Sequence, residues 1–208
     1  MPHSIKKLTE GLLDLQRKYA NVFRVMNTEE RYARLVVGGA LREYSYEHET
    51  LREPLIEHVG HLPIIAAYLH PHIEQRDSVD LGRVLTMLSV HDIGETEVGD
   101  VSSYAKTAEH RRAEDEAARA LLPDYLFAYL EEYEARETHD AKFAKSVDSA
   151  APILHELSLP AEVTRERFRM HGFGVADIIK KKQPHFAWDA VLAEMFDDMI
   201  ARYRGLGL

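Results

Sequence analysis

The sequence predicts an all-α fold, and two observations carry that prediction. No run alternates apolar and polar residues with the β-branched enrichment and Asn-Gly or Asp-Gly turns that mark hairpins. Apolar residues instead recur at helical spacing along most of the chain, with Gly and Pro where the periodic runs end. At 208 residues and 45% hydrophobic content the chain can bury a sizeable core. Neither a repeat nor a linker rich in Gly, Ser or Pro divides it, so a single helical bundle over 1–208 is expected.

Leu8, Leu12, Leu13 and Leu15 give a first amphipathic helix, and Tyr32, Leu35, Val36 and Val37 a shorter one that Gly38-Gly39 ends. Pro54 opens the next helix, because its missing N–H costs nothing in a first turn. That helix carries Ile56, Val59, Ile64, Ile65 and Leu69 and should stop near His70-Pro71; Pro63 inside it is expected to kink or thin it. Asp80 is placed to cap Leu81–Ile93, whose Val84, Leu85, Leu88 and Val90 leave little polar surface. This helix is therefore expected to run through the middle of the bundle. Gly94 and Gly99 break the pattern. Lys106–Leu122 closes at Pro123, Asp124 is expected to cap Tyr125–Glu137, and Asp140–Leu157 sets Phe143, Val147, Ala150, Ala151 and Leu154 on one stripe. Two further helical segments, over 161–182 and 187–203, complete the chain.

Thirty-five acidic against 26 basic residues give a net charge of −9, which argues against coating a phosphate backbone without sequence contacts. No nucleic-acid partner is expected. The absence of cysteine excludes a disulfide framework, an iron–sulfur cluster and thiol catalysis, and suits an intracellular protein. Charged residues interrupt every apolar run near the N-terminus, so no signal peptide is read there. The longest apolar stretches, such as Leu62–Leu69, fall far short of the roughly 20 residues of a membrane span. A cytoplasmic protein with no membrane partner is expected. Twelve histidines remain as the notable chemical resource.

The sharpest local feature is His91-Asp92 at the end of the most apolar helix, followed by Glu95 and Asp100. Ionisable groups beside Val84, Leu88 and Val90 need a partner, and a metal ion is one. Further ligands must come from elsewhere in the chain. His58 and Asp148 are candidates, each a polar residue among apolar neighbours. Taken singly, His58 reads as a hydrogen-bonded core histidine, and Asp148 as a solvated helix residue, before either reads as a ligand.

Taken in order, His58, His91-Asp92 and Asp148 resemble the H…HD…D pattern of the HD-domain superfamily of metal-dependent phosphohydrolases. Glu57-His58 and the block His91-Asp92-Ile93-Gly94-Glu95-Thr96-Glu97-Val98-Gly99-Asp100 are similar to the branch containing the bacterial 5′-deoxynucleotidase and its eukaryotic relatives. Lys106, Glu116-Ala117 and the acidic stretch Glu131-Glu132-Tyr133-Glu134 extend the likeness, which covers about Arg42 to Leu154. Residues 155–208 have no matched counterpart and are expected to cover the bundle or build a dimer contact.

The resemblance implies an HD-domain helical bundle in which His58, His91, Asp92 and Asp148 hold one divalent ion: manganese, cobalt, iron, nickel or zinc. It implies that Glu95, with Asp92, serves catalysis by orienting or deprotonating the attacking water. Asp100 would contact a sugar, Ser103 would supply a hydroxyl, and Lys106 would also meet substrate. Arg42 stands nearest to the family's phosphate-steadying arginine but is followed by Glu43 where the family has an aromatic; Arg52 is the alternative. The implied activity is hydrolysis of a small phosphomonoester, a nucleoside 5′-monophosphate or something of similar size, by a homodimer. The alternatives are an HD-type phosphodiesterase or pyrophosphohydrolase, and a non-catalytic, metal-stabilised interaction module. His61 is read as packed or solvated before it is read as a further ligand. Lys180-Lys181-Lys182 is read as a solvated helix end, and Tyr133 with its neighbouring aromatics as core or subunit interface.

Overall fold

The computed structural model describes residues 4–20, 55–99, 101 and 104–208, and among these it is helical without strands. The expected Tyr32–Val37 helix and Pro54, Arg42, Arg52, Asp100 and Ser103 lie outside the described residues. The helices are α1 (Ile5–Ala20), α2 (Leu55–Leu69), α3 (Leu81–Val90), α4 (Glu95–Val98), α5 (Ala108–Leu121), α6 (Asp124–Ala135), α7 (His139–Ser158), α8 (Ala161–His171), α9 (Val175–Lys182) and α10 (Ala190–Gly205). None of them is long and apolar enough to cross a membrane.

The central helix is α7, where the sequence pointed to α3. Helix α7 packs against α1, α2, α3, α6, α8 and α10. Its buried residues run nearly all the way round: Ala141, Phe143, Ala144, Ser146, Val147, Ser149, Ala150, Ala151, Ile153, Leu154 and Leu157. Small alanine and serine side chains let neighbouring helices approach from several directions, whereas α3 buries only Val84, Met87, Leu88 and Val90.

Local chemistry sets the element ends. Asp80 caps α3 by accepting from the Arg83 N–H at 3.2 Å. Thr107 and His110 form a capping box at the start of α5. Asp124 does not cap α6; Pro123 holds the cap position, with Asp124 in the first turn, where its charge suits the helix dipole. The single segment expected over 161–182 is two helices, because Gly172 adopts φ 66° and ends α8. Pro63 does not end α2, which continues past it to Leu69.

Helix α3 stops at Val90, three residues earlier than its pattern suggests, and His91 is its C-cap. The chain then turns with hydrogen bonds from Ile93 N–H to the Val90 carbonyl and from Glu95 N–H to the Asp92 carbonyl. Gly94 is required in that turn: a Cβ there would lie 2.2 Å from the carbonyl oxygen of Glu114 on α5. The other end of α3 is tied to α7 by Asp140, whose carboxylate accepts from the Asp80 N–H at 2.8 Å and from Arg83 Nε at 2.9 Å. Arg83 also pairs with Glu132 of α6.

The lysine run at the end of α9 is not uniformly solvated. Lys182 is half-buried and donates to the Ser149 carbonyl of α7 at 3.0 Å. Burial, with Lys145 and Lys181 nearby, lowers its pKa to about 8 against the pull of Asp148 and Glu156.

Asp189 is 2% exposed and caps α10 by accepting from Val191 and Leu192 N–H, while also accepting from Gln75 N–H at 3.1 Å. Replacing it by alanine leaves buried donors without partners. Asp189→Ala is expected to cost about 1–3 kcal/mol in urea unfolding, and Asp189→Asn distinctly less.

Candidate metal centre

Four side chains from three elements meet at one point. His58 comes from the first turn of α2, His91 and Asp92 from the end of α3, and Asp148 from the middle of α7. Asp92 Oδ2 lies 3.0 Å from His91 Nε2 and 3.6 Å from His58 Nε2. Asp148 Oδ1 lies 3.4 Å from His58 Nε2 and 3.6 Å from His91 Nε2. His58, His91 and Asp92 each offer a ligand atom within 4.8 Å of the others.

These spacings suit a shared cation. Donor atoms about 2.1 Å from one ion are separated by roughly 3.0–3.4 Å in octahedral or tetrahedral arrangements. The ring orientations agree with that use. His91 Nδ1 lies 3.0 Å from the Leu88 carbonyl, so it carries the proton and turns Nε2 toward the carboxylates. That Nε2 is buried and makes no hydrogen bond of good geometry. Burial opposes charge on the His91 ring, but Asp92 and Asp148 outweigh it and raise the pKa to about 10.

The two oxygens of Asp148 have different tasks. Oδ1 faces the imidazoles, while Oδ2 accepts from Tyr133 Oη at 2.8 Å and Lys145 Nζ at 2.8 Å. Burial works to raise the Asp148 pKa; the Lys145 charge and the two imidazoles more than reverse this and hold it well below the usual carboxylate value. One oxygen is thereby left for a cation. Tyr133 is both core, at 2% exposure, and part of this arrangement, its ring 5.2 Å from that of His91. The sequence reading assigned Tyr133 to packing and Lys145 to nothing; the available signal was Lys145 three residues before Asp148, on the same helix face.

Glu95 opens α4 and is largely enclosed, with a side-chain exposure of 10%. Its Oε1 accepts from Lys106 Nζ at 3.1 Å, and Lys106 also meets Glu114 Oε2 at 2.8 Å. Lys106, expected at the substrate, therefore has its ammonium between two carboxylates. His61 packs near His58 with ring centroids 6.3 Å apart, and its Nδ1 lies 3.3 Å from the Glu57 carbonyl. Burial and the proximity of His58 lower its pKa to about 4.

Comparison with known proteins adds an independent line. A family model described as HD domain matches residues 40–187, which include all four converging side chains. The chain is 30% identical over 141 residues to the 5′-deoxynucleotidase HDDC2 of Xenopus laevis, covering 64% of this chain and 67% of that one. It is 28% identical over 138 residues to the Mus musculus protein of the same name, covering 60% and 66%. The match thus spans about two thirds of these relatives. A crystal structure from Magnetospirillum magnetotacticum, described as a predicted metal-dependent phosphohydrolase, aligns with a TM-score of 0.64 over 99% of this chain and 98% of that one, at 24% identity. That likeness is one of fold.

Asp92 and Asp148 favour a second proton on His91, at the Nε2 that faces them, and a cation bound there would displace it. Titration of manganese at pH 7.5 is expected to release about one proton per site, seen as a heat that depends on the ionisation enthalpy of the buffer. Binding without proton release would contradict the electrostatics above.

Proposed function

The chain belongs to the HD domain family, and we propose on that premise that it is a metal-dependent phosphohydrolase acting on a small phosphomonoester. The convergence of His58, His91, Asp92 and Asp148 carries this reading, with one imidazole nitrogen of each histidine and one oxygen of each aspartate within 3.0–3.6 Å of a partner. The relatives named 5′-deoxynucleotidase support a nucleoside 5′-monophosphate, or a molecule of similar size, as substrate.

These four residues would hold the ion through two neutral imidazoles and two carboxylates, which together balance a divalent charge. A divalent ion bound there would supply Lewis acidity, easing deprotonation of water and offsetting charge on the phosphoryl group. Manganese, cobalt, iron, nickel and zinc all suit the mixed nitrogen and oxygen donors.

The remaining chemistry falls to Glu95. It stands one turn beyond His91, with its N–H bonded to the Asp92 carbonyl at 3.0 Å. Lys106 donates to Oε1, which pairs the carboxylate with a positive charge and restricts its rotation. Glu95 then orients the attacking water and accepts its proton, and Lys106 acts through Glu95. Asp92 contributes as a ligand. Arg42, Asp100 and Ser103 keep their substrate-contact assignments as part of the proposal.

Purified protein supplied with manganese or cobalt is expected to release inorganic phosphate from members of a panel of ribo- and deoxyribonucleoside 5′-monophosphates. Asp92→Ala should abolish release. Glu95→Gln should keep the metal and lower kcat by about 10²–10⁴-fold. Phosphate release that survives Asp92→Ala discards the mechanism, and a nucleotide or pyrophosphate product redirects it to diester or pyrophosphate cleavage.

A further inference from the structure

Helix α7 is weakest in its own hydrogen bonding where it carries its functional residue. Pro152 lies inside the helix four residues after Asp148, so no N–H at that position can donate to the Asp148 carbonyl. A ligand carboxylate on such a turn needs positional support from outside the helix.

That support comes from the far end of the chain. Ser146 and Ser149 are buried, at 0% and 4% exposure, and share a face of α7 adjacent to the one bearing Lys145 and Asp148. Trp188 Nε1 donates to Ser146 Oγ at 2.9 Å. The Ser146 hydroxyl lies 2.7 Å from the His185 carbonyl, and Ser149 Oγ lies 2.7 Å from His185 Nδ1. Lys182 Nζ donates to the Ser149 carbonyl at 3.0 Å. The Trp188 ring also stacks on His139 at the start of α7, with centroids 5.5 Å apart and planes at 23°. These bonds grip α7 on both sides of Asp148 in sequence, while Tyr133 of α6 and Lys145 of α7 itself hold the Asp148 Oδ2 on the adjacent face.

We propose that Lys182, His185 and Trp188 form a positioning clamp on α7, which sets its rotation and translation so that Asp148 Oδ1 meets His58 and His91. The clamp rests on the reading of those residues as a metal site. They bond to Ser146 and Ser149 and stack on His139, and through these contacts they act on the helix that bears Asp148. Burial alone would be served by apolar side chains at these positions. A paired polar network instead specifies one register, since each buried donor and acceptor is costly to leave unmet. The C-terminal third thus has a task in the centre itself, beyond covering the bundle.

The test uses Lys182→Met, Trp188→Phe and Ser149→Ala in the full-length protein, with cobalt as probe. Thr164→Val is the control, because Thr164 of α8 is a buried hydroxyl whose bond to the Glu156 carbonyl meets α7 about two turns beyond Asp148, near the end of that helix and outside the clamp. The clamp variants are expected to bind cobalt about 10–100-fold more weakly and to show a shifted visible absorption of the bound ion. The control should lose thermal stability without changing the spectrum. Wild-type affinity and spectrum in Trp188→Phe and Ser149→Ala overturn the clamp, even if Lys182→Met fails to fold. Equal spectral shifts in clamp variants and control also overturn it. A wild-type protein that binds no cobalt, manganese or zinc removes the metal reading and the clamp with it.

Discussion

Two carboxylates directed at the same pair of imidazole nitrogens impose the constraint around which the rest of the molecule is arranged. Asp92 and Asp148 both approach His58 Nε2 and His91 Nε2 within 3.6 Å, and their side chains are only 22% and 18% exposed. Water screens such charges poorly, so compensation must come from groups at fixed positions. On the far side of Asp148 it comes from Lys145 and Tyr133. On the near side it comes from a proton on His91, or from a cation in its place. The two carboxylates therefore favour positive charge at this point, and the surrounding helices hold the repelling groups together.

Holding them requires a frame that is stiff in three directions. Helix α7 supplies it by being buried on nearly all sides, with small residues that let α2 and α3 lie close enough for His58 and His91 to reach Asp148. Asp140 and Arg83 set the depth of α3 at its start, and the Gly94 contact with the α5 backbone sets the turn at its end. Between these two anchors His91 and Asp92 have little freedom to drift. Lys106 extends the same logic to Glu95, bracing it against Glu114 of α5.

Much of the site is legible along the chain because its parts are local or ordered. His91, Asp92 and Glu95 fall within one block, and His58 and Asp148, ordinary when taken singly, stand out through the resemblance of their order to a known family pattern. Tyr133 is harder to read, since a buried tyrosine at helical spacing looks like any core aromatic until its hydroxyl is seen on Asp148. Lys182 is harder still. In a run of three lysines at a helix end, the signal is only its spacing of four from Ile178 and seven from Val175, which puts it on the buried face.

The ordered set His58, His91-Asp92 and Asp148 is readable only through family resemblance; what the sequence by itself determined was the helical class and several caps and breaks, such as the Asp80 cap and the stop before Pro123. These depend on nearest-neighbour chemistry: side-chain oxygens reach backbone N–H groups three residues away, and periodicity marks the face a helix will bury. Tertiary structure alone decided that α7 and not α3 is central, that one oxygen of Asp148 faces the imidazoles while the other is held by Tyr133 and Lys145, and that Lys182 reaches Ser149. Amphipathicity says that a face is covered and does not say by what. The partner across a helix crossing depends on packing angle and depth, which are set by all the side chains at the contact together.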